Sequence, residues 1–116
     1  MVHYSFKKRW YHLYDTQGVK EVTEVKSVEV KIEKPSSEKL EELKVKDWPI
    51  WTKEVSTFDW YYDTNETCYF LEGEVEVGTP DGKTYHIQAG DLATFPKGLK
   101  CVWKVKKPVR KHYKLF

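Results

Sequence analysis

A chain of 116 residues can form one hydrophobic core and one site, and not two of either. With 40% hydrophobic and 33% charged residues it has the composition of a soluble domain, and its net charge of +2 excludes the strongly basic balance of a dedicated nucleic-acid binder. No apolar run approaches the roughly 20 residues of a membrane span, and MVHYSFKKRW lacks the apolar core of a signal peptide, so a cytoplasmic location without membrane contact is expected.

Along the chain, the first 27 residues differ in texture from the rest. Tyr4, Phe6, Trp10, Tyr11 and Tyr14 crowd together with Lys7, Lys8 and Arg9 before the turn Asp15-Thr16-Gln17-Gly18, and Val19 to Lys26 follow as a return strand. The pattern predicts a hairpin arm with Gly18 at a position needing positive φ. Val28, Val30 and Ile32 then alternate with Glu29, Lys31 and Glu33, one face dry and one wet. Pro35-Ser36-Ser37 starts the one helix the sequence predicts, of about two to three turns, with Glu38 and Glu41 near its positive end and Leu40 and Leu43 on one face.

Almost everything beyond it reads as strand. From Thr67 to Leu71 the polar positions vanish, which predicts a central strand buried on both faces, and Gly73 permits a bulge before Val75 and Val77 alternate with Glu74 and Glu76. Turn signals at Thr79-Pro80-Asp81-Gly82, Ala89-Gly90-Asp91 and Pro96-Lys97-Gly98 recur at short intervals. The fold class is therefore all-β, an antiparallel sandwich or small barrel. From Lys104 to Lys114 six basic residues occur without an acid, interrupted by Pro108 and interleaved with Val109, Tyr113 and Leu115. A solvated strand face balanced by the Glu72, Glu74 and Glu76 stripe is expected there, with Arg110 pairing with Asp91 or Asp63.

Cys68 and Cys101 stand too far apart for a zinc-binding CxxC pair and in a reducing cytosol would be buried thiols, while the Asn65-Glu66-Thr67 sequon would go unmodified. His3, His12, His86 and His112 show no i,i+2 or i,i+4 pairing of metal ligands, and His86 and His112 read as satisfied edge residues.

Two glycine-anchored segments carry a specific resemblance. Glu66 stands seven places before Gly73, and GDLATFPKG, Gly90 to Gly98, reproduces G-x5-P-x-G without a gap. These spacings resemble the two cupin motifs, G-x5-H-x-H-x(3,4)-E-x6-G and G-x5-P-x-G-x2-H-x3-N. From about residue 28 to 116 the chain is similar to the small stand-alone cupins of the ureidoglycine aminohydrolase and ethanolamine-utilisation branch. VKIEKP, WPIW, FDWYYDTNETCY and KPVRKHYKLF resemble an uncharacterised single-domain cupin type of hyperthermophilic bacteria. The resemblance implies a jelly-roll barrel over 28–116 and leaves 1–27, natural or engineered, as an arm outside it. The arm's own crowded aromatics suggest that it serves assembly or packs on the barrel or on a second subunit.

The departures from those motifs define the expected site. Trp60 and Tyr62 fall at the two histidine positions (Asp59 and Tyr61 with the longer gap), Cys101 at the third and Val105 at the asparagine. Of three imidazoles and one carboxylate only Glu66 remains, so no metal is expected; a weak divalent site would have to use Glu66 and Cys101, with Cys68 as a third donor. Glu66 in an aromatic lumen is desolvated and is a candidate acid or base, against a structural role accepting hydrogen bonds from aromatic donors. Cys101 is a weak nucleophile candidate that would need a cation such as Lys100 or Lys104 beside it. Trp60, Tyr62, Cys68 and Trp103 are the expected pocket residues for a small-molecule ligand, with Trp103 equally suited to core packing. The leading expectation is a dimeric cupin binding a small polar metabolite. The alternatives are a metal-independent or weakly metal-assisted hydrolase or isomerase using Glu66, and a stable scaffold, natural or engineered, whose N-terminal arm mediates assembly.

Overall fold

The computed structural model describes the backbone of residues 7–14 and 20–27 and the whole of residues 29–116. Strands β1 (Lys7–Tyr14) and β2 (Lys20–Ser27) pair antiparallel, from Lys7 opposite Ser27 to Tyr14 opposite Lys20, as the hairpin reading requires. The predicted turn with Gly18, the residues Tyr4 and Phe6, the side chains of Trp10, Tyr11 and Tyr14, and the face assigned to Val28 lie outside the described residues.

The helix signal is met by α1 (Ser37–Glu42), whose N-cap Ser36 accepts a hydrogen bond from the Lys39 amide through its side chain. It is shorter than expected, ends in a 3-10 turn over Val45–Asp47, and buries none of its residues; Val45 carries the apolar anchor instead. Leu43 is exposed because the chain leaves the helix at Leu43 and passes through Lys44 in the left-handed region (φ 55°), so the intended apolar stripe never completes a further turn.

The remaining strands are β3 (Lys31–Glu33), β4 (Ile50–Lys53), β5 (Ser56–Tyr61), β6 (Glu66–Gly78), β7 (Thr84–Gln88), β8 (Leu92–Phe95) and β9 (Lys100–Leu115). All pairings among them are antiparallel. The long strands β6 and β9 pair with each other along nearly their whole length and belong to both walls of the barrel. Their first and last parts respectively carry β8 with β3 on one side and β4 on the other, while Glu74–Gly78 and the start of β9 carry β7 and β5.

The bend between the walls is at Gly73. It has φ 103°, and a Cβ there would lie 2.4 Å from the Pro108 carbonyl oxygen on the opposing strand, so only glycine fits. The ladder shifts register between Phe70 and Val75. The inner face accordingly changes parity, from Glu66, Cys68 and Phe70 to Val75 and Val77. Strand β9 runs through Pro108 without changing parity, so Cys101, Trp103, Val105, Val109 and Lys111 all point inward.

Candidate functional site

At one end of the lumen, β6 contributes Glu66 and Cys68 and β9 contributes Lys111, which sits opposite Phe70 in the ladder. The three polar groups meet in a triangle. Lys111 Nζ donates to Glu66 Oε2 at 2.9 Å and contacts Cys68 Sγ at 3.1 Å, and the Cys68 thiol donates to the same Glu66 oxygen at 2.8 Å. All are buried, Cys68 completely. The ammonium also lies over aromatic faces, 4.7 Å from the Trp103 ring centroid, 4.8 Å from Trp51 and 5.8 Å from Phe70.

Burial alone would favour neutral lysine, but the negative charge that Cys68 and Glu66 can carry and the hydrogen bonds they accept outweigh it and raise the Lys111 pKa above its ordinary value. Lys111 is therefore an ammonium. Desolvation pushes the Cys68 thiol up, reinforced by Glu66 and only partly opposed by Lys111, so Cys68 stays protonated at neutral pH.

Above this triangle lies a cavity of about 240 Å³, lined by Trp51, Phe58, Trp60, Tyr62, Trp103 and Tyr113 around Glu66 and Lys111, with Tyr61, Asp63, Thr64 and Leu115 completing the wall. The rings brace one another: Tyr62 stacks on Phe95 at 4.8 Å with 7° between planes, and Trp103 meets Phe58, Phe70, Phe95 and Trp51 within 6.2 Å. Trp60 and Tyr61 are exposed and form the rim.

The structure brings together only part of the expected set. Trp60, Tyr62 and Trp103 line the cavity with Glu66; Cys68 lies behind the floor rather than on it. Cys101 does not line the cavity, its thiol being directed at the Trp60 carbonyl oxygen at 3.8 Å. Burial pushes that thiol up to about 11, and Lys100 and Lys104 lie on the outward, exposed parity of β9, so no sequence-adjacent cation activates it. Burial likewise raises the Tyr62 hydroxyl well above its usual value. The Trp103 indole N–H approaches Tyr62 and Cys101 without the geometry of a hydrogen bond to either, and is the one buried side-chain nitrogen or oxygen among the described residues that lacks a partner.

The basic run divides in two. Arg110 pairs with Glu72 at 3.8 Å, Lys107 with Glu74 and Lys106 with Glu76, which is the acid–base stripe the sequence suggests. The expected Arg110 partners are corrected. Asp91 is buried and held by Lys34 Nζ at 2.9 Å and by the Gln88 amide, closing the turn before β8. Lys111 is not on the solvated face at all. It falls between Val109 and Tyr113 on the inward parity of β9, a signal present in the sequence but hidden by the charges around it. Trp51, Phe58 and Tyr113 were equally absent from the expected pocket because they reach it from separate strands.

The EutQ-like cupin domain model matches residues 40–113. The chain belongs to this family. A crystal structure of a DUF861 family protein from Thermotoga maritima is 75% identical, with 76% of this chain covering 100% of that one at a TM-score of 0.75. The fold also matches a putative ethanolamine utilization protein Q from Salmonella typhimurium (20% identity, 97% of each chain, TM-score 0.53) and the Clostridium difficile EutQ protein (19% identity, 92% of this chain and 94% of that one, TM-score 0.54). No curated protein matches the chain.

Metal-dependent cupins need several neutral nitrogen or anionic oxygen donors converging on one ion. The side chains of this cupin do not fit that requirement. By motif spacing the three imidazole positions hold Trp60 and Tyr62, or Asp59 and Tyr61 with the longer gap, and Cys101, and among the described residues no three His, Cys, Asp or Glu side chains converge. The remaining carboxylate is in contact with an ammonium, whose charge repels a second cation. Among the described residues no helix is long and apolar enough to cross a membrane.

Proposed function

We propose that this cupin binds a small polar molecule with a flat apolar face in the lumen, using the Glu66–Lys111 pair in place of a metal centre. The observation that supports this reading is the position of the pair: a donor and an acceptor side by side on the floor of an aromatic cavity. A buried ion pair contributes little to stability compared with a well-packed apolar replacement, so its presence inside a barrel argues for a recognition role. Neighbouring cation and carboxylate match a ligand carrying an acceptor next to a donor, such as an amide, a urea or a hydroxy-carbonyl group, while the rings cover its flat face. Nucleophilic catalysis has little support, because both thiols are held protonated and Lys111 is held as an ammonium.

The test is a thermal-shift screen of small amides, ureas and hydroxy acids, repeated on Trp60→Ala and on Glu66→Leu/Lys111→Met. A ligand at about a hundred times its Kd stabilises the folded state by about 2.7 kcal/mol. Shifts seen in the wild type and lost in both variants are the expected result. Shifts that survive both changes place binding elsewhere and overturn the assignment, as does an absence of any shift across the set.

A further inference from the structure

Cys68 has no part in the binding scheme above, yet it is the most closely engaged thiol of the molecule. Its sulfur lies 3.1 Å from Lys111 Nζ and 2.8 Å from Glu66 Oε2, with no exposed surface. A larger thiol such as glutathione cannot reach it, and Cys101 is directed at the Trp60 carbonyl. A side-chain amine, a thiol and a proton acceptor held in van der Waals contact make a site for oxidative linkage. We propose that Cys68 and Lys111 form a covalent modification site, in which dioxygen joins them through one oxygen atom as an Nζ–O–Sγ bridge.

The balance is complete with one molecule of dioxygen. The thiol S–H bond, two ammonium N–H bonds and the O–O bond break, and an S–O and an N–O bond form. The second oxygen atom leaves as water, and the ammonium's remaining surplus proton passes by way of Glu66 to solvent. Sulfur and nitrogen each give up two electrons, and dioxygen takes all four. A single bridging atom spans the observed gap with small side-chain torsions, whereas a direct S–N bond would require the two atoms to close to bonding distance.

Dioxygen is small and apolar, and the walls around the triangle are aromatic, so the lumen admits it more readily than a polar oxidant. The protonated state of the buried thiol makes it a poor target for thiolate-directed oxidants, which leaves the contact with Lys111 as the distinguishing feature. The consequence is a change in lumen charge. A bridged nitrogen is no longer a strong base, so Glu66 loses its counter-ion, and β6 and β9 become covalently joined across their ladder.

The experiment uses the full chain purified without oxygen and then exposed to isotopically heavy dioxygen, with intact-mass and peptide mapping. The expected product is heavier by one labelled oxygen less two hydrogens, links the Cys68 peptide to the Lys111 peptide, and reverts with a thiol reductant. It should form in Cys101→Ser and be absent from Cys68→Ser and Lys111→Arg. The wild-type map decides the matter even where a variant fails to fold. Oxygen added to Cys68 alone, a link involving Cys101, an unlabelled bridge, or no linked peptide after prolonged exposure would each overturn the proposal.

Discussion

Lys111 and Glu66 show how a charge can be inside a barrel and still be satisfied. Three aromatic rings, a carboxylate and a thiol surround the ammonium, so its desolvation is offset only while that shell is complete. Glu66→Gln removes the counter-charge and leaves a buried cation; a loss of about 3–5 kcal/mol is expected from the urea midpoint. Replacing both partners by apolar residues of similar size, as in Glu66→Leu/Lys111→Met, should recover most of that loss. If the separate losses of Glu66→Leu and Lys111→Met simply add in the double variant, the residues are not coupled and the pair is not the structural unit described here. Glu66 was legible in the sequence from its spacing to Gly73. Its partner was not, because a lysine among six basic residues looks like solvent-facing charge until the strand's inward parity is fixed by what it packs against.

At the scale of elements, the long strands β6 and β9 organise the site. Glu66, Cys68 and Phe70 reach the lumen on one parity and Val75 and Val77 on the other, a change that a straight strand cannot make. Gly73 makes it, at positive φ and against the Pro108 backbone. Gly73→Ala should cost about 1–3 kcal/mol from conformation alone, and more from the clash, read as a lowered unfolding midpoint with the two-state form retained. A neutral substitution would mean that the bend is made elsewhere. The bulge was visible in advance as a glycine between two alternating runs. Its close partner was not, since Pro108 lies far along the chain and the contact exists only once the strands pair. The helix was overestimated for a related reason: Leu40 and Leu43 form a stripe on paper, but Leu40 is only half-buried and Leu43 is exposed.

For the whole molecule, several buried groups titrate with one sign. The folded state holds the Cys101 thiol up to about 11 from its ordinary 9.0, and raises Cys68 and Tyr62 as well. Below pH 9.0 folded and unfolded chains both keep these protons, so the contribution to stability is fully present. As pH rises from 9.0 the unfolded chain releases thiol protons that the folded chain retains, and stability falls. The Lys111 contribution acts in the same direction, being present below its ordinary 10.5 and lost as pH rises through its higher folded value. Urea midpoints should therefore hold to about pH 8.5 and decline steeply above it. Cys101→Ser should remove part of the decline between 9.0 and about 11. A midpoint that stays level to pH 11 would contradict the burial of these groups.

The sequence by itself determined the all-β class, the barrel family, the one helix start, the bend at Gly73 and the loss of the imidazoles, because alternation, turn chemistry and motif spacing are local and survive in a linear text. Only the tertiary structure decided what replaced those imidazoles. Strand pairing brings Lys111 across the ladder to Glu66 and Cys68 and gathers Trp51, Phe58 and Tyr113 from separate strands around them. Contacts between residues some 45 positions apart depend on the register in which two long strands pair, and that is not written in the neighbourhood of any one residue.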